Sequence, residues 1–151
     1  MAEPAIWGPS MWRLLHGLAE KLGKQVTFIL IQDEQRAWLH FLRSVENVIP
    51  CKRCKQHYRE WTQNHRIDEA TNRLSARAWL WGLHNEINSE RKVEGGPPLN
   101  EMDAMYTGRD VSNDANECFG HLLNAVQRQH ISSENFRIFK YRLSLLRKFT
   151  G

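Results

Sequence analysis

The chain has 151 residues, with 21 basic and 17 acidic side chains and a formal net charge of +4 at pH 7. This length is typical of one domain, which buries enough surface to fold without disulfide bridges. The charge is too mild to indicate a nucleic-acid partner, and no apolar segment approaches the ~20 residues of a membrane span. The first residues lack the layout of a secretory signal, so we expect no membrane partner and no entry into the secretory pathway.

Four helices are predicted in the first part of the chain, because apolar residues recur there at three- and four-residue steps. Their ranges are Trp7 to Leu22, Asp33 to Val48, Cys51 to Asn64 and Asn72 to Lys92. Pro9 and Ser10 are natural first-turn residues of the first helix, and Pro50 ends the second. Residues 26–31 are the one run typical of a strand. Since that run has no partner strand, we predict a buried connection there.

The second part of the chain is predicted to hold two more helices. Residues 95–98, Gly-Gly-Pro-Pro, end the first unit, and residues 100–113 are turn-like. The two amphipathic helices that follow are predicted to bury Phe119, Leu122, Leu123 and Val126, and then Phe136, Phe139, Leu143 and Leu146. We therefore predict an all-α fold, with a four-helix bundle in residues 1–98. A helical C-terminal extension in residues 99–151 packs on the bundle or dimerises with it, as part of one structural domain.

Two of the three cysteines, Cys51 and Cys54, lie at the predicted start of the third helix. A helix N-terminus offers unpaired backbone N–H groups and a partial positive charge, which favour the thiolate form of a cysteine. Lys52, Arg53 and Lys55 add positive charge nearby. Thiols three residues apart on a helical turn face one way and can form a disulfide. The pair therefore fits redox chemistry, a metal site or a purely structural role.

Zinc binding is the sharpest alternative for this pair. The candidate ligands are Cys51, Cys54, His57 and His65. They would close a tetrahedral site only if the helix broke between His57 and His65, and no second Cys-x-x-Cys is present. Such a protein would be a non-enzymatic, zinc-stabilised helical adaptor whose basic helix docks an acidic partner. A c-type haem is excluded because Lys55 stands where histidine is required, and a thioredoxin-like site is excluded by the lack of strands.

Two predicted helix faces carry aromatic and polar side chains that suit a flat cofactor. The residues are Trp12 and His16 on the first helix, and Trp81, His84, Asn85 and Asn88 on the fourth. Each residue alone is more typical of a packed core. Together, two such faces would form a slot with aromatic walls and a hydrogen-bonding rim, which suits a flavin or adenine ring. No glycine-rich nucleotide motif is present, so the ring would bind without a Rossmann domain.

Three segments of the sequence share one family pattern in order and approximate spacing. They are Trp7–His16, Ile49–Cys54 and Trp79–Asn88. Together they resemble the Erv/ALR family of FAD-linked sulfhydryl oxidases, some of which are viral, and the resemblance extends to about residue 98. It implies a four-helix bundle that binds FAD, usually as a homodimer. It also implies oxidation of protein dithiols to disulfides, with O2 as electron acceptor and H2O2 as product.

The resemblance also implies roles for individual residues. Cys54 would lie next to the flavin, and Cys51 would exchange with the substrate; no metal is implied. The implied FAD contacts are Gly8, Trp12, His16, Trp81, His84, Asn85, Asn88 and Lys92, with Arg91 as a weaker basic candidate. Trp81 stands where many cellular members have a cysteine, so the disulfide that fastens the bundle of those members is absent here.

The remaining features lie beyond the resemblance. Cys118, beside Phe119, is predicted to be buried; its functional alternatives are an intersubunit disulfide or a relay to Cys51. A nucleic-acid binder would use the basic residues of the last helix, Arg137, Lys140, Arg142, Arg147 and Lys148. Their interleaving with apolar residues instead predicts a solvated face over a packed stripe. We expect a cytoplasmic location, in host cytoplasm or virion if the chain is viral, with the mitochondrial intermembrane space as the alternative.

Overall fold

A computed structural model describes residues 3–151 and contains no strand in that range. Its α-helices are α1 (Pro4–Ala19), α2 (Phe28–Val45), α3 (Lys52–Asn64), α4 (Arg73–Glu90), α5 (Met102–Tyr106), α6 (Val111–Gln127) and α7 (Ser133–Thr150). Short 3-10 helices cover Glu46–Val48, Ile67–Glu69 and Leu99–Glu101. The predicted all-α fold is confirmed. None of the helices in the described range is long and apolar enough to cross a membrane.

Helix α1 begins earlier than its sequence pattern predicted. Pro4 occupies the first turn, where its fixed φ and missing N–H are tolerated. Pro9 therefore lies inside the helix, and the prediction that Pro9 and Ser10 form the first turn is wrong. Ser10 is buried, and its hydroxyl donates to the carbonyl of Trp7 at 3.0 Å.

Helix α2 also begins earlier, and the prediction of a strand-like, buried connection at residues 26–31 is wrong. The Thr27 hydroxyl accepts the backbone N–H of Leu30 at 3.4 Å, and this cap starts the helix at Phe28. Val26 is 89% exposed and Phe28 is 72% exposed. The run is apolar, but it lies at a helix start instead of under another element.

The other differences lie in the second half of the chain. Part of the turn-like segment forms the short helix α5. Leu123 is 48% exposed, because it lies about 100° around α6 from Leu122, which is fully buried. Phe119 and Val126 are partly buried against the core. The predicted apolar stripe of the last helix is confirmed, since Phe136, Phe139, Leu143 and Leu146 are all buried.

One hydrophobic core joins the N-terminal helices to α6 and α7. Helix α1 packs on α6 and α4, whereas α2 packs on α7. The fully buried members include Leu14, Trp38, Phe41, Leu80, Leu122 and Phe139. A partly buried ion pair fastens α4 to the end of α1, since Arg77 donates to both carboxylate oxygens of Glu20 at 2.7 and 2.6 Å. This packing brings the predicted aromatic faces of α1 and α4 together.

Candidate cofactor and thiol site

The two cysteines of the Cys-x-x-Cys motif meet at the start of α3. Cys51 is the N-cap residue, and its sulfur accepts the backbone N–H of Cys54 at 3.3 Å. Cys51 is 8% exposed, whereas Cys54 is half-buried. No disulfide joins the cysteines of the described chain. The cap nevertheless holds both sulfur-bearing residues on one helical turn, as the spacing predicted.

Burial dominates the titration of Cys54. It raises the pKa of Cys54 to about 12, with help from the hydrogen bond to Cys51 and the charge of the Cys51 thiolate; the positive charge of Arg91 acts in the opposite direction. The prediction that the helix start favours the thiolate is therefore wrong for Cys54. Removing a thiolate from water outweighs the helix N-terminus and the one basic side chain that opposes it.

Cys54 lines a narrow cavity of about 50 Å³. Its other walls are mostly apolar and include Trp7, Met11, Leu15, Ile49, Tyr58, Leu83 and Ile87. A second cavity, of about 430 Å³, lies between α1, α4 and the segment around α5. Pro4, Gly8, Trp12 and Arg91 line both cavities, so the two adjoin. The larger one falls in the size range of small-molecule sites.

Stacked rings form one wall of the larger cavity. The Trp12 and His84 rings stack with centroids 3.9 Å apart and planes 9° apart. Behind them, His16 Nε2 lies 3.1 Å from His84 Nδ1, and the His16 ring stacks on Tyr106 with centroids 4.5 Å apart. One histidine must donate and the other accept. These contacts fix the orientation of the wall.

Both histidines in this wall are neutral at physiological pH. Burial, assisted by the charge of His84, lowers the pKa of His16 to about 3. Burial also lowers the pKa of His84 to about 4. The wall therefore presents an uncharged, flat surface to the cavity, which suits stacking against an aromatic ring.

Half of the predicted cofactor residues line the larger cavity: Gly8, Trp12, His84 and Asn88. Gly8 is buried, yet a Cβ at this position would have no atom within 4 Å. It would project into the open cavity, so glycine lets a ligand approach the backbone. His16 lies behind the wall instead of lining it, 2% exposed.

The other predicted residues lie away from both cavities. Trp81 donates its ring N–H to the carbonyl of Pro97 at 3.0 Å. A Cβ on Gly95 would lie 3.7 Å from the side-chain oxygen of Asn85, so the same loop covers Asn85. Lys92 is exposed and lines neither cavity, whereas the neighbouring Arg91 lines both.

The residues of the larger cavity that sequence reasoning missed include Arg13, Tyr106 and Arg109. Arg13 was detectable, because it directly follows Trp12 within the first motif. Tyr106 and Arg109 lie in the segment that the sequence indicated only as turn-like, and no local pattern marks them.

The zinc alternative has no support in the structure. Within residues 3–151, no three His, Cys, Asp or Glu side chains are grouped so as to hold a metal ion. His57 lies 3.5 Å from the carboxylate of Glu90, and the His65 ring stacks on Trp61 with centroids 4.0 Å apart. The helix stays unbroken from Lys52 to Asn64, so the predicted ligands are not brought together.

Cys118 lies in the core. It is 1% exposed, and burial raises its pKa to about 12, against a hydrogen bond with Ser10 of α1 that lowers it. The prediction of a buried residue is confirmed. A thiol in this position has no surface from which to reach another chain.

The fold and the site agree with the class of protein that the motifs indicated. Residues 9–107 match the model of the Erv1 / Alr family, which is about two thirds of the chain. The chain belongs to this family. The resemblance identified from the three motifs is thereby confirmed.

A viral protein is among its relatives. The protein named "Putative FAD-linked sulfhydryl oxidase 088R" from Frog virus 3 (isolate Goorha) is 36% identical over 55 residues. That match spans 36% of this chain and 36% of the relative, so about a third of the relative's length is covered. No solved structure matches the chain.

Proposed function

We propose that this protein is a FAD-dependent sulfhydryl oxidase that forms disulfides in protein substrates. One observation carries the proposal: Cys54 lines a cavity that adjoins a larger, aromatic-walled cavity. A thiol pair beside a site for a flat redox cofactor is the arrangement that electron transfer from a dithiol requires. Membership of the Erv1 / Alr family and the name of the viral relative support the same function.

The residues of the larger cavity fit FAD. Its volume of about 430 Å³, the stacked pair of Trp12 and His84, and the open space at Gly8 suit a planar ring system. Asn88 offers hydrogen bonds, and Arg91 offers positive charge for a phosphate. When bound, FAD accepts two electrons from a dithiol and passes them to O2, which yields H2O2.

The remaining predicted residues support this site indirectly. His16 hydrogen-bonds to His84 and so fixes the ring that would contact the cofactor. Trp81 holds the loop at Pro97, and the same loop covers Asn85. Lys92 lines neither cavity, whereas Arg91 lines both. For the basic contact we therefore favour Arg91 over Lys92.

The chain's own residues perform the thiol–disulfide exchange. A substrate thiolate attacks the sulfur of Cys51 in a Cys51–Cys54 disulfide; the S–S bond breaks, and Cys54 leaves as a thiolate. A second substrate thiolate then attacks the mixed disulfide, so that the substrate disulfide forms and Cys51 is released. The substrate loses two electrons, and the cysteine pair gains them. Arg91 stabilises the Cys54 thiolate against the effect of burial.

We also propose a homodimer in which residues 1–98 and 99–151 of each copy form one structural domain. The packing of α6 on α1 and of α7 on α2 supports the single domain. The family resemblance supports the dimer. The viral relative supports a viral source with action in host cytoplasm or in the virion.

Purified protein tests this function directly. After incubation with FAD and removal of the excess, we expect visible flavin absorbance, and we expect O2 consumption with H2O2 release when dithiothreitol is added. Trp12→Ala should lose the flavin, because the stacked wall is removed. Trp61→Ala is the matched control, since Trp61 stacks on His65 outside both cavities. Wild-type protein that stays colourless, or that is yellow but consumes no O2 with dithiols, contradicts the proposal.

A further inference from the structure

A buried carboxylate on α6 binds two arginines that line the larger cavity. Asp114 is 0% exposed. Arg109 donates to it through Nε at 3.0 Å and Nη2 at 2.5 Å, and Arg13 donates through Nε at 3.3 Å. Arg13 also donates through Nη2 to Glu117 at 2.6 Å. One carboxylate thus fixes residues from α1 and from the segment before α6.

These bonds leave part of each guanidinium available. An arginine side chain has five N–H donors, and the two N–H groups of Nη1 take part in none of these four bonds. Both arginines line the cavity, and their side chains are 30% and 36% exposed. Each is therefore anchored on one edge and has donors left for a ligand.

A glycine lets the second arginine approach the first helix. A Cβ on Gly17 would lie 3.3 Å from the Cβ of Arg109 and 3.6 Å from Val111. Because glycine leaves this space free, the segment before α6 packs against α1, on the same side as Arg13. The position of Arg109 therefore depends on two features far apart in sequence, Gly17 and Asp114.

The lining of the larger cavity is basic. Arg91 adds a third positive charge to those of Arg13 and Arg109, so the arginines outnumber the two carboxylates by one. Guanidinium groups with a fixed fork suit phosphate oxygens better than flexible ammonium groups do. An anionic diphosphate is the part of a flavin dinucleotide that such a wall would recognise.

We propose that Asp114 is a positioning residue that holds Arg13 and Arg109 in place to bind the diphosphate of the dinucleotide. This inference rests on the proposed FAD site. It assigns the C-terminal extension a part in the site, because Asp114 and Arg109 lie after residue 98. Tyr106, which stacks on His16, belongs to the same wall.

The test compares FAD with riboflavin, which has the flavin ring but no phosphate. Flavin fluorescence measures the affinity of both ligands for wild type, Asp114→Asn and Arg109→Gln, with thermal unfolding to verify the fold. We expect FAD to bind at least about tenfold more weakly to both variants, while riboflavin affinity changes less than about twofold. Arg43→Gln is the matched control, because Arg43 forms its ion pair with Asp68 outside the cavity.

The Asp114→Asn variant separates positioning from net charge. Removing a negative charge makes the wall more positive, so a role through charge alone would strengthen FAD binding, and that result would overturn the proposal. Equal losses for FAD and riboflavin in a folded variant would show a merely structural role and would also overturn it. If Asp114→Asn does not fold, the loss of FAD affinity is compared with the loss of riboflavin affinity in Arg109→Gln, and that comparison decides in the same way. If the wild type binds no FAD, the proposed function itself is refuted. If the variants bind FAD and riboflavin with the same relative affinity as the wild type, only this inference is refuted.

Discussion

Burial shifts the pKa of Cys54 and of Cys118 in the same direction, but the two thiols have different surroundings. Burial raises the pKa of each to about 12. Cys54 is half-buried, lies beside Cys51 and lines a cavity, whereas Cys118 is 1% exposed in the core. The direction of the pKa shift therefore does not distinguish the two cysteines. A partner thiol within the same helical turn and access to a cavity make the distinction.

The largest expected difference between the two cysteines is the effect of their substitution on oxidase activity. We expect Cys54→Ser to lower dithiothreitol oxidation by at least about a hundredfold while bound flavin remains, because the proposed exchange needs this thiol. Cys118→Ala should keep activity within about twofold, since this thiol lies outside both cavities. O2 consumption per bound flavin is the measurement. Loss of activity in Cys118→Ala with flavin retained would break the comparison.

Alkylation of the reduced protein should give the next largest difference. Iodoacetamide should modify Cys54 at least about tenfold faster than Cys118, because Cys54 borders a cavity whereas Cys118 is buried in the core and both thiols have a raised pKa. The thiolate fraction grows as pH rises towards a raised pKa. The rate at Cys54 should therefore increase about tenfold per pH unit from about pH 7 to pH 9, without a plateau. Mass spectrometry of timed samples measures both rates, and a plateau near pH 8 would contradict the raised pKa.

The free energy of unfolding should depend more on Cys118 than on Cys54, which is the reverse of the order expected for activity. Cys118→Ala should lower the free energy of unfolding by about 1–2 kcal/mol, because it leaves a cavity in a packed core. Cys54→Ala should lower it by about half as much or less, since this side chain already borders open space. Urea unfolding of both variants in the reduced state measures the difference. Equal losses would mean that Cys54 is packed as tightly as Cys118.

The smallest predicted effect concerns the charge beside Cys54. Arg91 opposes the raised pKa of Cys54, so Arg91→Gln should raise that pKa further and slow alkylation of Cys54 about threefold. Alkylation of Cys118 in the same protein is the internal reference. Arg53→Gln is a second control, because Arg53 lies on the same helix but does not contribute to the Cys54 shift. A larger effect from Arg53→Gln would show that the basic helix start, and not Arg91, acts on the thiol.

Helices and motifs were predictable because their signals are local. Apolar residues repeat with the period of a helix, and capping residues mark where α3 and α4 begin: Cys51, and Asn72 with Ser75. The Cys-x-x-Cys spacing alone places Cys51 and Cys54 on one turn. Trp12 and His84 were identifiable as cavity residues, since both stand within motifs on predicted helices. The predicted slot between two aromatic faces is wrong, because the two rings stack directly on each other, 3.9 Å apart, and form one wall.

Tertiary packing decided the rest of the site. Tyr106 lines the cavity and stacks on His16, although no local pattern in the sequence marks it. The helix start was expected to favour a thiolate at Cys54, but burial against neighbouring helices reversed the sign.

The arginine wall required contacts between distant segments. Arg13 and Asp114 are 101 residues apart, and only the packing of α6 on α1 brings them together. The sequence by itself determined the helices, the thiol pair and one wall of the cavity, through periodicity and spacing. Only the tertiary structure decided the arginine-lined part of the cavity and the burial that controls titration, because both depend on which surfaces meet.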